Sequence, residues 1–83
     1  MTLVEDPTKP DRDELVAFIG HHIRAYREQV GWSQSDLAVM VDKSVATVAG
    51  WEAGKRMPSV VDVVAVAWAL GVSPGALLPK GGA

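Results

Sequence analysis

Apolar residues recur along this chain at intervals of three and four, the period of helices with one buried face, and nowhere do they alternate as a half-buried strand requires. Leu15, Phe18, Ile19, Ile23, Tyr26 and Val30 form the first such series, and Val60, Val63, Val66, Ala67 and Leu70 form the last long one. Polar punctuation marks the ends. Asp11 with Glu14 reads as a capping box opening a helix over residues 12–29, with Gly31 as its stop. Ser33 with Asp36 opens a second over 34–41, and Ser44 caps a third over 45–52 that ends at Gly54. Pro58 and Ser59 start a fourth that reaches residue 70 and closes at Gly71. Ser73 caps a short fifth helix with Pro74 in its first turn and Leu77 and Leu78 on it. The pattern predicts an all-α, compact five-helix domain.

Within that series, residues 34–53 have the spacing of a helix-turn-helix. Ala38 stands four after Gln34 and is small enough to let two helices cross closely. Asp42 falls at the turn, where a left-handed backbone costs roughly 1 kcal/mol relative to glycine. Leu37, Val41, Val48 and Trp51 then face the core, so the second helix of the pair projects outward, where it fits a major groove.

Eighty-three residues make one domain, which buries only roughly 60 to 65% of its unfolded surface and leaves little chain for an enzyme cleft. Cysteine is absent, which removes disulfides and thiolate zinc sites and is compatible with a reducing cytosol. The acidic start lacks a signal-type apolar stretch, and the most apolar run, residues 60–72, is interrupted by Asp62 and too short to span a bilayer. A cytoplasmic protein with no membrane partner is expected. The net charge of −2 counts against nucleic acid at first sight, but it is unevenly spread. Residues 1–14 hold five acids against Lys9 and Arg12, a net of −3, and the six cations and five acids that follow leave +1. The expected layout is an acidic N-terminal arm at 1–11, a helical domain at 12–79 and a tail at 80–83. His21 and His22 are adjacent and so point about 100° apart on a helix, which rules them out as a metal pair. With no nucleophile-and-base set, phosphate-cradling glycine loop or metal-spaced carboxylates, the expectation is a protein with no enzymatic activity, no metal, no cofactor and no small-molecule substrate.

The stretch from residue 19 to 78, about three quarters of the chain, resembles the Xre/Cro-type, lambda-repressor-like DNA-binding family. Ile23 with Tyr26 and Arg27, SQSDLA, VAGWEAGKRMPS and ALGVSPGALL carry the likeness together, at the family's spacing. The resemblance implies a five-helix fold, helix 3 in the major groove, and a homodimer on a two-fold symmetric operator. It implies a structural salt bridge between Arg27 and Glu52, worth roughly 3 to 5 kcal/mol against loss of one partner if buried. It also implies a phosphate contact at Gln34, and base contacts from Ser44, Val45, Ala46, Thr47 and Gly50.

None of those five is Arg, Asn or Gln, so hydrogen-bond readout by helix 3 is expected to be poor. Val45, Ala46 and the Thr47 methyl suit thymine methyls, Gly50 suits close approach to the groove wall, and specificity is supplemented by DNA shape and dimer spacing. Lys43, Lys55 and Arg56 flank the helix as further phosphate contacts. Their small number predicts a shallow salt dependence.

On helix 4, Val60, Val63, Val66, Ala67 and Leu70 are assigned to the core, while Val61, Ala65 and Trp68 form a second apolar stripe. That stripe with Leu78 is expected to be a homodimer or partner interface, unless Leu15, Val16 and Phe18 of helix 1 fold over it. The expected function is that of a dimeric, sequence-specific transcriptional regulator of double-stranded DNA, most simply a repressor. The rival expectation is a protein-interaction module, such as an antitoxin or docking adaptor, that binds a protein partner through helix 4.

Overall fold

A computed structural model describes residues 9–79, so the expected tail at 80–83 and most of the acidic arm lie outside the described residues. Four α-helices follow one another: α1 (Arg12–Gln29), α2 (Gln34–Met40), α3 (Val45–Glu52) and α4 (Val60–Leu70), then a single 3-10 turn at Pro74–Leu77. The expected fifth helix is therefore that one turn of 3-10, and Ser73 makes no side-chain capping bond to it. A four-residue segment with proline in its first turn and Pro79 soon after has too little length to wind further.

Local chemistry sets each boundary in the same way. Asp11, Ser33, Ser44 and Ser59 each turn a side-chain oxygen onto the backbone N–H three residues on. At Ser33–Asp36 and Ser59–Asp62 the carboxylate returns the bond to the cap N–H and completes a capping box. At Asp11 the bond from Glu14 N is made but the Glu14 carboxylate does not return it, so the expected box is only half formed. Each helix also ends alike. Gly31, Asp42, Gly54 and Gly71 have left-handed backbones, and the following residue donates back to the helix: Trp32 to Arg27 O, Lys43 to Ala38 O, Lys55 to Gly50 O and Val72 to Ala67 O. Asp42, at φ +56°, is the one non-glycine residue in that role among the described residues.

The core joins Ile19 and Ile23 of α1, Leu37 and Ala38 of α2, Val48 and Trp51 of α3, four residues of α4, and Leu77. Three positions assigned inward by periodicity are exposed instead. Phe18 is 39% exposed because it falls roughly 160° from the line through Val16, Gly20 and Ile23, the face α1 buries. Val30 is exposed because it caps α1 beyond its last turn. Val60, the first residue of α4, is 82% exposed, as it lies roughly 70° off the inward stripe of Val63, Val66, Ala67 and Leu70. Gly20 settles how α1 meets α3. A Cβ there would land on the Trp51 carbonyl oxygen, so the two backbones touch with no side chain between them.

Candidate nucleic-acid interface

α3 is fixed on one side and open on the other. Val48 and Trp51 are buried, whereas Ser44, Val45 and Ala46 are exposed and Thr47, Ala49 and Gly50 are half-buried. The open side is nearly free of charge, and its polar content is a chain of hydroxyls. Ser44 Oγ accepts from Thr47 N at 3.1 Å and lies 2.9 Å from Thr47 Oγ1. Thr47 Oγ1 also accepts from Arg56 Nη1 at 3.1 Å.

That last contact bears on two of the residues expected at the DNA, Gly50 and Arg56. Gly50 was expected to leave space for a groove wall, but the space is filled. A Cβ at Gly50 would lie 2.7 Å from Arg56 Cδ and 2.9 Å from its Cγ, so the arginine stem crosses the glycine. The cause is the left-handed turn at Gly54, after which both Lys55 and Arg56 donate backbone N–H groups to Gly50 O, at 2.9 and 3.1 Å. Arg56 is thereby folded onto the outer face of α3 instead of standing beside it.

The base of the helix pair is held by one ion pair. Arg27 Nε donates to Glu52 Oε2 at 2.7 Å and Nη2 to Oε1 at 2.9 Å, while Nη1 donates to Trp32 O at 2.6 Å. Both side chains are buried, and the hydrogen bond to Glu52 holds the guanidinium still further above its ordinary value. Gln34 Nε2 donates to Glu52 Oε1 at 3.0 Å. One amide hydrogen of Gln34 is thus spent on Glu52, which orients the second, at the start of α2.

The flanking cations differ. Lys55 is exposed, whereas Lys43 Nζ lies 3.4 Å from Asp62 Oδ1 at the start of α4. Lys43 therefore faces a competing carboxylate. His21 and His22 belong to no metal-holding group of His, Cys, Asp and Glu among the described residues; His22 instead stacks on Phe18, with ring centroids 4.2 Å apart. No described helix is long and apolar enough to cross a membrane.

The four residues expected at an interface are split between two places. Val61 and Trp68, 77% and 86% exposed, line an apolar groove with Ala65, Val60, Val64 and Met40. They lie roughly 150 to 170° from the inward face of α4, and helix 1 does not cover them: Val16 is in the core and Phe18 packs on His22. Leu78 lines a different groove, with Phe18, His22 and Tyr26, because Leu77 beside it turns inward.

A helix-turn-helix family model matches residues 23–77. Among curated proteins none matches. Among solved structures, the chain is similar to the restriction-modification controller protein C.AhdI from Aeromonas hydrophila, with 32% identity and a TM-score of 0.73 over 76% of this chain and 96% of that one. It is similar to the DNA-binding domain of the P22 C2 repressor, with 32% identity and a TM-score of 0.70 over 72% of this chain and 79% of that one. It also resembles part of hydroxypropylphosphonic acid epoxidase from S. wedmorenis, with 30% identity and a TM-score of 0.75 over 82% of this chain but only 36% of the enzyme.

Proposed function

Because this chain belongs to the lambda-repressor-like, Xre/Cro-type helix-turn-helix family, we propose that it is a non-enzymatic transcriptional regulator that lays α3 in the major groove of double-stranded DNA. The observation that carries this reading is the open side of α3. Ser44, Val45 and Ala46 are exposed with Thr47 half-buried next to them, Lys55 is exposed just past the helix, and the Arg27–Glu52 pair fixes Gln34 at the Glu52 end of α3. A helix face whose own side chains carry no charge suits base edges, and Gln34, Lys43 and Lys55 suit phosphates. With Lys43 shared with Asp62, few counterions are released per subunit and binding weakens only gently with salt.

The groove on α4 supports a homodimer that reads two half-sites. Val61, Trp68, Val60 and Met40, all more than half exposed, form one contiguous apolar patch of the kind that marks an interaction site. Pairing two copies through this face is isologous and, α4 carrying no cation and only Asp62 as an acid, sets no row of like charges against itself. Leu78, in its separate groove, is left out of that interface. The two α3 helices then need a separation of about 34 Å to enter successive grooves on one side of the duplex.

A gel shift against genomic fragments at low salt tests the reading. Wild type should retard a subset of fragments and Thr47→Glu, which sets a carboxylate against the groove, should retard none. If both bind alike, or neither binds, DNA control by this domain is abandoned, and a protein partner seated on the α4 groove becomes the better account.

A further inference from the structure

The open side of α3 lacks any side chain able to make two hydrogen bonds to one base, yet the structure brings one there from outside the helix. We infer that Arg56, which lies beyond the end of α3, is the residue that reads a guanine in the major groove, with Gly50 as the track for its stem and Thr47 as its rest. This rests on α3 being the DNA-facing helix and deepens that reading by naming its specificity-determining residue.

Three independent contacts place the guanidinium. The backbone bond from Arg56 N to Gly50 O, 3.1 Å, brings the residue back over the last turn of α3. The bare Cα of Gly50 accepts the aliphatic stem, whose Cγ and Cδ occupy the volume of a missing Cβ. The bond from Nη1 to Thr47 Oγ1 then stops the side chain on the outer face, one turn before Gly50 and among the exposed residues Ser44, Val45 and Ala46. Thr47 Oγ1 is itself steadied by Ser44 Oγ. A guanidinium has five N–H donors in a planar fork. Thr47 occupies one, and enough remain to donate in parallel to O6 and N7 of guanine, the commonest specific arginine contact in the major groove. Because the stem is pre-laid on the helix, less side-chain freedom is lost on binding than for a free surface arginine. Exposed Val45 and Ala46 beside it meet thymine methyls, so the expected half-site pairs one guanine with neighbouring thymine.

Selection of bound sequences from a random duplex pool, followed by titration of the selected site and its single-base variants, tests this with wild type, Arg56→Ala and Thr47→Val. Arg56 is exposed, so its removal leaves the fold intact, which circular dichroism checks. Wild type should prefer a G·C pair at one position of each half-site by roughly 5- to 150-fold over the other pairs. Arg56→Ala should lose that preference and keep the rest of the motif, and Thr47→Val, which removes the rest for the guanidinium, should weaken it. A uniform loss across all sequences, with the salt slope reduced by about one, marks Arg56 as a phosphate contact and overturns the inference while leaving DNA binding standing. A wild-type protein that enriches no sequence overturns the DNA reading beneath it.

Discussion

Arg27 and Glu52, twenty-five residues apart, face each other through two hydrogen bonds, so that α1, the loop before α2 and the end of α3 share one buried charge pair. Neither side chain is more than 11% exposed. Gln34 is attached to the same carboxylate, which makes the pair a joint between the fold and the start of the helix-turn-helix.

Removing one member leaves the other buried without its counter-charge. Arg27→Met and Glu52→Met should each lower unfolding free energy in urea by about 3 to 5 kcal/mol, and the double replacement of both should recover a large part of the loss. A double-mutant cycle with additive effects would show that the two groups act separately.

Gly20 lies inside α1, where alanine ordinarily stabilises a helix by roughly 0.5 to 1 kcal/mol. Here the sign is reversed. The added carbon collides with the Trp51 carbonyl oxygen, a backbone atom that cannot swing aside, and Gly20→Ala should cost about 1 to 3 kcal/mol in thermal or urea unfolding. An unchanged or raised midpoint would mean that α1 and α3 separate easily.

Trp68 is 86% exposed, so Trp68→Ser should leave the monomer's stability within about 0.5 kcal/mol of wild type while abolishing self-association. Sedimentation equilibrium reads this directly. Wild type should sediment as twice the 8.8 kDa chain and the variant as a single chain; a wild type that stays at one chain mass at every concentration removes the homodimer from the proposal.

Two carboxyls contribute to the response to acid. The Ser33 backbone N–H, followed by its hydroxyl, holds Asp36 below the usual carboxylate value. Burial pushes Asp62 upward, but the N–H and hydroxyl of Ser59 together with Lys43 outweigh it and leave Asp62 lowered as well. A lowered folded-state value stabilises the fold above the unfolded aspartate value of about 3.9, and that stability is lost as pH falls through the lowered value. Unfolding free energy should therefore be level near neutrality and fall below about pH 4, and Asp36→Asn with Asp62→Asn should flatten that fall. An identical acid limb in the variant would trace the loss to other groups.

The boundaries of α1 to α4 were legible to within a residue because each is fixed by bonds spanning three to five positions, from Asp11, Ser33, Ser44 and Ser59 at the starts to Gly31, Asp42, Gly54 and Gly71 at the ends. Which apolar residue faces inward was less so. Val60 and Phe18 obey the helical period but point away from the neighbours that fill the core, and a period does not say where neighbours stand. The fold of Arg56 over Gly50 and the meeting of Gly20 with Trp51 depend on backbones brought together by packing. A signal for the first was present, in a glycine six residues before an arginine with Gly54 between them, but only the turn shows that the two meet. Leu78 was grouped with Trp68 on apolarity alone, and the inward turn of Leu77 separates them.

The three tryptophans occupy three different surroundings: Trp51 is sealed at 2% exposure, Trp32 is half-buried beside the core, and Trp68 stands in solvent. Intrinsic fluorescence consequently divides into a blue-shifted signal that reports unfolding and a red-shifted one, open to iodide quenching, that reports whatever covers α4. Without any added dye, the molecule supplies separate optical readings of its own integrity and its own occupancy.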